Sequence, residues 1–536
     1  MTLTVFTNGS LFTGRAYVGR VGAVVVRDGI VAAVLPPGDD LPAGRVVDLA
    51  GGLLTPGFVD AHVHAVQGGL ELLRCDLSGL ERREDYLRAV KEYADTHPRL
   101  DWITGGGWSM AAFPGGAPTK EDLDAVVPDR PVFLPNRDHH GAWANSRALE
   151  LAGVTRDTPD PGDGYFERDA DGRPTGTLHE GAMHAVARLL PAITADDLRE
   201  GLLAGQRHLH SVGVTGWQDA IIGDYAGITD PGPAYAAAAR SGDLTAFVVG
   251  ALWWDRERGV EQIGDLVARR EALTSGRFRA TSVKVMQDGV PENGTASMSL
   301  PYLDRCGHPT DNAGHSFVDP AVLKEAAPAL ADAGFQIHVH AIGDSAVTET
   351  LDALEAIGPD VADLRHHVAH LQFVRPDDQP RFGRLGIAAN LQSLWACLDD
   401  QMRELVLPAV GPERARWQYP WAALLAGGAR LVSGSDWPVS TPDPWQALHV
   451  AVNRVAPGDD LDAFLPEQAL ALETALGSYT SGSAWVNHRD DAGVVEPGKV
   501  ADLVVHDRDP FQGPSTGIAD TVVVSTWVEG EVVHEG

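Results

Sequence analysis

A histidine pair near the amino end is the feature of this sequence with the clearest chemistry. The stretch Thr55–His64 has the pattern of a short apolar strand that ends in His62 and His64. Residues two apart in a strand point to the same face, so both imidazoles project to one side together with Asp60. Neutral imidazole is a common ligand of zinc. The pair therefore predicts a metal site, provided that later residues complete it.

A lysine inside a run of valines is the second unusual position. Lys284 occupies the stretch Ser282–Met286, where a strand is predicted. Burial would lower the pKa of its ammonium group and leave a neutral amine. A neutral amine can capture carbon dioxide as a carbamate, and this carboxylate could bridge two metal ions. The alternative is a lysine whose charged end reaches the surface.

Further ligand types stand at the ends of later strands. His338 and His340 share a face, and we expect His340, which is nearer the strand end, to bind metal. His338 is expected to contact substrate or support the site, and it is a candidate catalytic residue. His370 also ends an apolar run. Asp436 follows an apolar strand and is predicted to bind metal and accept a proton, although a solvated turn aspartate is the alternative.

Eight β-rich runs alternate with helical patterns between the two ends of the chain, which is typical of a (β/α)8 TIM barrel. Active sites of such barrels lie at the carboxyl ends of the strands. The predicted strands are Phe58–His64, Val212–Gln218, Leu244–Trp253, Thr281–Met286, Phe335–His340, His367–Leu371, Ile387–Leu394 and Arg430–Ser435. The first two strands are too far apart for an ordinary βα unit. An insertion subdomain is therefore predicted at about 68–190, as a lid or a small α/β unit.

Both ends of the chain differ from the barrel region in pattern, because they consist of short β-rich runs separated by turns. Asp28-Gly29 is a strong hairpin signal within the first segment. Strand–turn–strand patterns recur near the carboxyl end. We expect residues 1–55 and 486–536 to join in one β-sandwich domain, with the barrel at 56–485.

Composition excludes several classes of partner. The formal net charge is −32, with acidic residues distributed along the whole chain, which argues against binding nucleic acid or an anionic membrane. The start of the chain lacks a signal-peptide pattern, and no apolar stretch has the length of a membrane span. Three cysteines, far apart in sequence, form neither a zinc-ribbon spacing nor a disulfide framework. A cytoplasmic protein is expected.

The motifs taken in order resemble the amidohydrolase superfamily. More closely, they resemble its amidohydrolase-3 branch, the YtcJ-like and N-substituted formamide deformylase-like proteins. The resemblance covers nearly the whole chain. The stretches that carry it include Pro56–His64, Asn145–Leu149, Gly176–Ala182, Lys284, His340–Asp344, His370, Gly434–Val439, Pro466–Leu470 and Gly498–Leu503.

The resemblance implies a centre of one or two zinc ions or similar divalent ions at the barrel mouth. Six residues would bind the metal: His62, His64, Lys284, His340, His370 and Asp436. The more buried ion would lie between the two histidines of the first strand and Asp436. His340 and His370 would bind the other ion, and carboxylated Lys284 would bridge the two. The family often has a glutamate where this chain has Ala369, so a centre with a single metal stays open.

Metal chemistry then predicts a hydrolase. A bound divalent cation lowers the pKa of its water from about 15.7 toward about 7, which yields hydroxide to attack a carbonyl carbon. Asp436 would pass the proton to the leaving nitrogen, and His338 or His140 would help to stabilise the oxyanion. The candidate catalytic residues are Asp436, Lys284 and His338. The candidate substrate contacts are His140, Glu180, Gln218, Asp219, Asp288 and Trp395.

The predicted substrate is a small amide-like molecule, with an amide or an N-substituted formamide as the bond that is cleaved. Because the same ligands serve several reactions, three alternatives stay open. They are hydrolysis of a cyclic amide, ester or lactone, a non-hydrolytic decarboxylase or isomerase, and an inactive scaffold. An inactive scaffold would be expected to have lost some metal-binding residues, yet all six positions hold residues that can bind metal. A homodimer is expected from the family alone.

Overall fold

The predicted TIM barrel is confirmed by the structure, a computed structural model that describes residues 3–225, 228–359 and 361–536. Met1 and Thr2, which begin the predicted sandwich segment, lie outside these residues. Eight strands form one parallel sheet in chain order. They are Phe58–Val63, Val214–Ile222, Phe247–Trp253, Phe278–Met286, Gln336–Ala341, His367–His370, Ala388–Leu391 and Arg430–Ser433. Most of their residues are buried, as expected for strands covered on both faces.

The barrel closes between its first and eighth strands through contacts at their carboxyl ends. The backbone N–H of Asp436 donates to His62 O at 2.8 Å, and the N–H of His64 donates to Trp437 O at 2.8 Å. The buried carboxylate of Asp60 accepts the N–H of Ser435 at 3.1 Å and the N–H of His62 at 3.0 Å. These bonds join the two stretches that carry the predicted metal ligands.

Helices surround the barrel and bury their apolar faces against it in one large core. The helices of this layer are Ala65–Leu72, Ala195–Ser211, Gly232–Ser241, Ile263–Leu273, Pro320–Asp332, Asp344–Glu355, Gln379–Leu385, Trp421–Ala426, Pro444–Asn453 and Leu472–Gly477. Thr194 and Asp197 form a capping box that begins the helix Ala195–Ser211. Among the described residues, the longest and most apolar helices fall short of what a bilayer crossing needs.

Strands from both ends of the chain form the predicted β-sandwich. One sheet has four strands, in the order Ile30–Leu35, Ala23–Arg27, Leu3–Thr7, Arg45–Asp48. The other has six, in the order Glu531–Glu535, Val523–Val528, Leu503–His506, Leu53–Pro56, Ser10–Phe12, Tyr17–Arg20. Asp28 and Gly29 both have positive φ, at 49° and 81°, as a two-residue hairpin requires. The two sheets share a core that contains Phe6 and Trp527.

The insertion after the first barrel strand is a subdomain with its own sheet. Its six strands run in the order Gly164–Arg168, Pro174–Glu180, Gly141–Ala144, Val132–Pro135, Ile103–Gly106, Cys75–Asp76. The helices Arg83–Thr96, Lys120–Asp124, Ser146–Ala152 and His184–Ala187 accompany it. Trp108, Phe113 and Trp143 pack together in its core, with Trp108 and Trp143 fully buried. These aromatic residues therefore stabilise the subdomain rather than line the barrel mouth.

Glycine at position 434 is required by the closure. A Cβ atom there would lie 2.5 Å from His62 N and 2.6 Å from His62 Cβ. We expect Gly434→Ala to lower the free energy of unfolding by about 1–3 kcal/mol, because the first strand must move to admit the methyl group. Urea unfolding measures this loss. Gly162→Ala, at an exposed position where the added methyl group meets no atom within 4 Å, is the control. Equal stability of the two variants would contradict the close approach.

Candidate active site

The six predicted metal ligands meet at one cavity at the carboxyl ends of the barrel strands. The cavity has a volume of about 490 Å³. All six residues contribute to its wall: His62, His64, Lys284, His340, His370 and Asp436. They come from strands one, four, five, six and eight, so the barrel brings together residues that are up to 374 positions apart, from 62 to 436.

The tightest part of this group is formed by His62, His64 and Asp436. Oδ1 of Asp436 lies 3.1 Å from His62 Nε2 and 3.0 Å from His64 Nε2. One donor atom from each of the three residues lies within 4.8 Å of the other two, as needed to hold a metal ion. The imidazoles of His340 and His370 pack edge to face nearby, with 4.4 Å between ring centroids. His370 Nδ1 is 3.9 Å from Asp436 Oδ2.

Unusual backbone conformations direct two of these side chains into the cavity. His370 has φ 78° and Asp436 has φ 56°, both in the left-handed region that non-glycine residues rarely adopt. Val368 belongs to the outer core, so a regular strand with period two would point His370 outward as well. The left-handed turn brings the imidazole inward instead. Such conformations cost about 1–3 kcal/mol each and concentrate at functional sites.

Several buried polar atoms in the cavity have no hydrogen-bond partner among the described residues. They are His64 Nδ1, His340 Nε2 and both ring nitrogens of His370. Each unpaired buried group costs about 1–3 kcal/mol. Burial holds the pKa of His340 and His370 well below the ordinary value, so both are neutral imidazoles with free lone pairs. Neutral imidazoles around a carboxylate are the donor set of a zinc-type ion, and the residues present fit such an ion.

The charges of Asp436 and Lys284 also suit a metal centre. Burial alone would raise the pKa of Asp436, but His62, His64 and His370 hold it well below its usual range. Lys284 is 3% exposed, and its Nζ lies 3.5 Å from His62 Nε2. Burial lowers the pKa of this lysine to about 7. The side chain therefore points into the barrel rather than to the surface, and a large fraction of it is a neutral amine near pH 7.

His338 lies beneath the cavity rather than in its wall. Its Nε2 is 2.8 Å from His62 Nδ1, and its ring packs at a tilt against that of His367 with 4.0 Å between centroids. If His62 bound a metal ion through Nε2, its Nδ1 would carry the proton and donate to His338. The structure thus places this predicted catalytic residue where it can orient His62, and no atom of it contributes to the cavity wall.

The six predicted substrate contacts divide into two groups. His140 and Trp395 line the cavity, and the indole of Trp395 stacks on His370 at 5.5 Å between ring centroids. Glu180 lies directly behind His140, whose Nδ1 is 2.9 Å from Glu180 Oε1. The structure brings these three residues to the site. The other three, Gln218, Asp219 and Asp288, do not reach the wall of the main cavity.

Each of these three residues forms hydrogen bonds with other residues of the barrel. Gln218 is bonded deep in the interior to Gln336 and His367, at 2.8 Å and 2.9 Å. Asp219 accepts the hydroxyl of Tyr235 at 2.6 Å. Asp288 accepts three backbone N–H groups, and two of them, Ile342 and Gly343 at 3.0 Å and 2.8 Å, directly follow the strand that carries His340. Full pairing inside the protein leaves these groups with little to offer a substrate.

Sequence patterns did not identify several residues of the cavity wall. Tyr225 follows the second barrel strand, Trp253 ends the third, and the two pack together with 4.9 Å between ring centroids. Arg137 comes from the insertion, and Glu292 and Asp399 come from loops after the fourth and seventh strands. The position of Trp253, at the end of a predicted strand, was the one available signal. The insertion residues had none, because their approach depends on how the subdomain packs.

Fold and site together define a metal-dependent hydrolase built on a TIM barrel. The chain belongs to the amidohydrolase family, whose model matches residues 45–534. The resemblance found in the motifs is thereby confirmed.

Known relatives extend the comparison. YtcJ of Bacillus subtilis is 29% identical over 542 residues, which cover 99% of both chains. The N-substituted formamide deformylase of Arthrobacter pascens is 27% identical over 96% of this chain and 95% of its own length. A crystal structure of an uncharacterized metal-dependent hydrolase from Pyrococcus horikoshii is 26% identical, covers 96% of this chain and 99% of that chain, and superimposes with a TM-score of 0.73.

The contact between His338 and His62 predicts a loss of metal affinity on substitution. His338→Phe removes the acceptor for His62 Nδ1–H while keeping a ring in the same space. We expect zinc affinity to fall about 10–100-fold, as for other groups that orient metal-binding histidines. Competition with a chromophoric chelator measures it, and His97→Gln, at an exposed helix end, is the control. Unchanged affinity in His338→Phe would contradict the orienting role.

Proposed function

We propose that this protein hydrolyses a non-peptide C–N bond, in an amide or an N-substituted formamide of a small molecule. The observation that carries the proposal is the group formed by Asp436 and three histidines at the mouth of an amidohydrolase barrel, whose imidazoles have ring nitrogens that no described residue bonds. The near full-length likeness to the formamide deformylase of Arthrobacter pascens supports the choice of bond. The three cysteines of the present chain are free thiols, which fits the expected cytoplasmic location.

Zinc is the metal that we propose for the site. His62, His64 and Asp436 would hold one ion, and His340 and His370 would hold a second one. When bound, such an ion lowers the pKa of a water ligand and polarises a carbonyl group. His62 and His370 contribute by remaining neutral, since burial lowers the pKa of His62 to about 3 and holds that of His370 well below its ordinary value. Protonation of these two ligands then does not compete with metal at neutral pH.

Asp436 would act as the proton carrier. Its Oδ1 faces two imidazoles, and its carboxylate remains ionised because three histidines surround it. A carboxylate there can accept the proton of the attacking water and deliver it to the leaving nitrogen. An amine leaves readily only when it is protonated, so this delivery completes the cleavage of the C–N bond. The backbone bonds that close the barrel therefore also hold Asp436, the proposed proton carrier, in position.

We further propose that Lys284 is carboxylated. Its buried, neutral amine would attack carbon dioxide, form one N–C bond and release one proton, which gives a carbamate anion. That anion would add a negatively charged ligand to the site and so favour a second metal ion. The position of Nζ beside His62 supports this arrangement. A native mass spectrum without the mass of an added carboxyl group on Lys284 would contradict it.

The cavity wall suits a substrate with an apolar or aromatic part. Trp253, Met286, Ile342, Leu394 and Trp395 all contribute to it. A volume of about 490 Å³ lies within the usual range for small-molecule sites. Aromatic side chains provide large contact areas with little loss of conformational freedom. We therefore favour an N-aryl or N-benzyl substituent over an unsubstituted formamide. A homodimer remains the expectation from the family.

A substrate panel tests the proposed reaction. Zinc-loaded protein is incubated with N-benzylformamide, formamide, a lactam and an ester, and amine, acid or alcohol release is measured. We expect turnover of N-benzylformamide, with formamide slower because it leaves the aromatic wall unfilled. Asp436→Asn should reduce the rate about 10²–10⁴-fold, the usual contribution of a proton-transfer group. Faster cleavage of the ester or lactam than of any formamide would redirect the assignment to the other bond.

A further inference from the structure

We propose that the insertion completes the active site with a histidine–carboxylate pair, His140–Glu180, that binds the carbonyl oxygen of the substrate, and that Thr295 positions Glu180. This inference rests on the proposed hydrolysis of a carbonyl compound. It assigns the oxyanion contact, for which the sequence offered both His338 and His140, to the histidine that faces the cavity. The subdomain then supplies a catalytic group to the cavity.

The geometry of the pair is that of a fixed imidazole. Nδ1 of His140 lies 2.9 Å from Glu180 Oε1 and 3.0 Å from Glu180 Oε2. Both residues are 8% exposed. The Nδ1–H group therefore donates to the carboxylate, which sets the orientation of the ring. The opposite edge of the ring, with Nε2, is left for the cavity, whose wall includes His140 but not Glu180.

The backbone holds Glu180 in a conformation that costs free energy. Its φ is 49° and its ψ is −124°, outside the common regions for a residue with a side chain. Residues kept in such conformations occur mainly where surrounding structure enforces them for function. Here the N–H of Glu180 donates to His140 O at 2.9 Å, so the strained residue is tied directly to its partner.

The loop after the fourth barrel strand fixes both members of the pair. The hydroxyl of Thr295 donates to Glu180 Oε1 at 2.8 Å, and Asn293 Nδ2 donates to His140 O at 2.8 Å. The same loop includes Ser297, whose N–H donates to Asp288, the carboxylate that also braces the backbone after His340. The orientation of His140 is therefore set by the barrel strands that carry the metal ligands.

The position and charge of His140 suit a developing oxyanion. Its ring centroid lies 5.7 Å from that of His340, so a carbonyl group near His340 is within reach of Nε2. The Glu180 carboxylate 2.9 Å behind the ring compensates positive charge on the imidazole, so both ring nitrogens can carry a proton and Nε2–H can donate toward the cavity. A hydrogen bond from a charged donor is stronger than one from a neutral donor. A fixed donor of this kind stabilises the negatively charged transition state more than it stabilises the bound substrate.

Kinetics and ligand binding on zinc-loaded variants test the pair. We expect His140→Gln to reduce kcat for N-benzylformamide about 10²–10³-fold with little change in KM, because the contact strengthens in the transition state. Glu180→Gln should show a smaller loss in the same direction. Thr295→Val should lose activity several-fold, and Thr295→Ser, which keeps the hydroxyl, should retain it.

Titration with sodium formate provides a readout that needs no turnover. The carboxylate of formate imitates the oxyanion, so His140→Gln should weaken its binding roughly 10–100-fold while zinc content stays at the wild-type value. His308→Gln is the matched control, since His308 forms an exposed pair with Asp304 at 3.6 Å. If His140→Gln fails to fold, Glu180→Gln, which keeps its shape, carries the same test.

The outcomes separate the two proposals. Wild-type protein that cleaves no member of the panel overturns the proposed function, and the formate titration still decides on the pair. Wild-type activity with a kcat in His140→Gln within about threefold of it overturns the pair and leaves the proposed function standing. Loss of activity together with loss of zinc would show that His140 acts on the metal site, and this would also overturn the oxyanion assignment.

Discussion

The closure of the barrel between its first and eighth strands is the constraint on which the rest of this structure depends. Within the described residues no regular strand ladder joins the two, and their contact consists of backbone bonds around His62 and Asp436 with the Asp60 carboxylate between them. Gly434 permits the close approach. The same few bonds close the barrel and set the 3.0–3.1 Å distances between Asp436 and the two histidines. Fold and metal site are therefore assembled by one interaction.

Two features of the site oppose folding. They are the left-handed conformations at His370 and Asp436, and the buried ring nitrogens of His64, His340 and His370 that no described residue bonds. The surrounding barrel compensates with a large apolar core and with buried hydrogen bonds that join Gln218 to Gln336 and His367. A metal ion would satisfy the free atoms at once. The insertion adds a second prepared group, His140, whose orientation depends on the same barrel loops.

Strand periodicity and motif order were sufficient to predict the barrel, the sandwich, the insertion and the six residues at the cavity. This succeeded because ligands on parallel strands share the carboxyl end of one sheet. Two kinds of feature were beyond the sequence. The orientation of His370 depends on a left-handed residue that no pattern predicts. The positions of Asp219, Asp288 and Gln218 depend on tertiary hydrogen bonds, and these residues brace the barrel instead of reaching the cavity. Tyr225 and Arg137 enter the wall only through packing.

The decisive measurement is the metal content per chain, obtained by elemental analysis on protein purified without added metal or chelator. We expect at least about one equivalent of zinc or a similar divalent metal, because His62, His64 and Asp436 already lie at ligand spacing. About two equivalents would show that Ala369 is tolerated and would support the bridge through Lys284. Protein that contains no metal and takes up none on supplementation would rule out the metal centre.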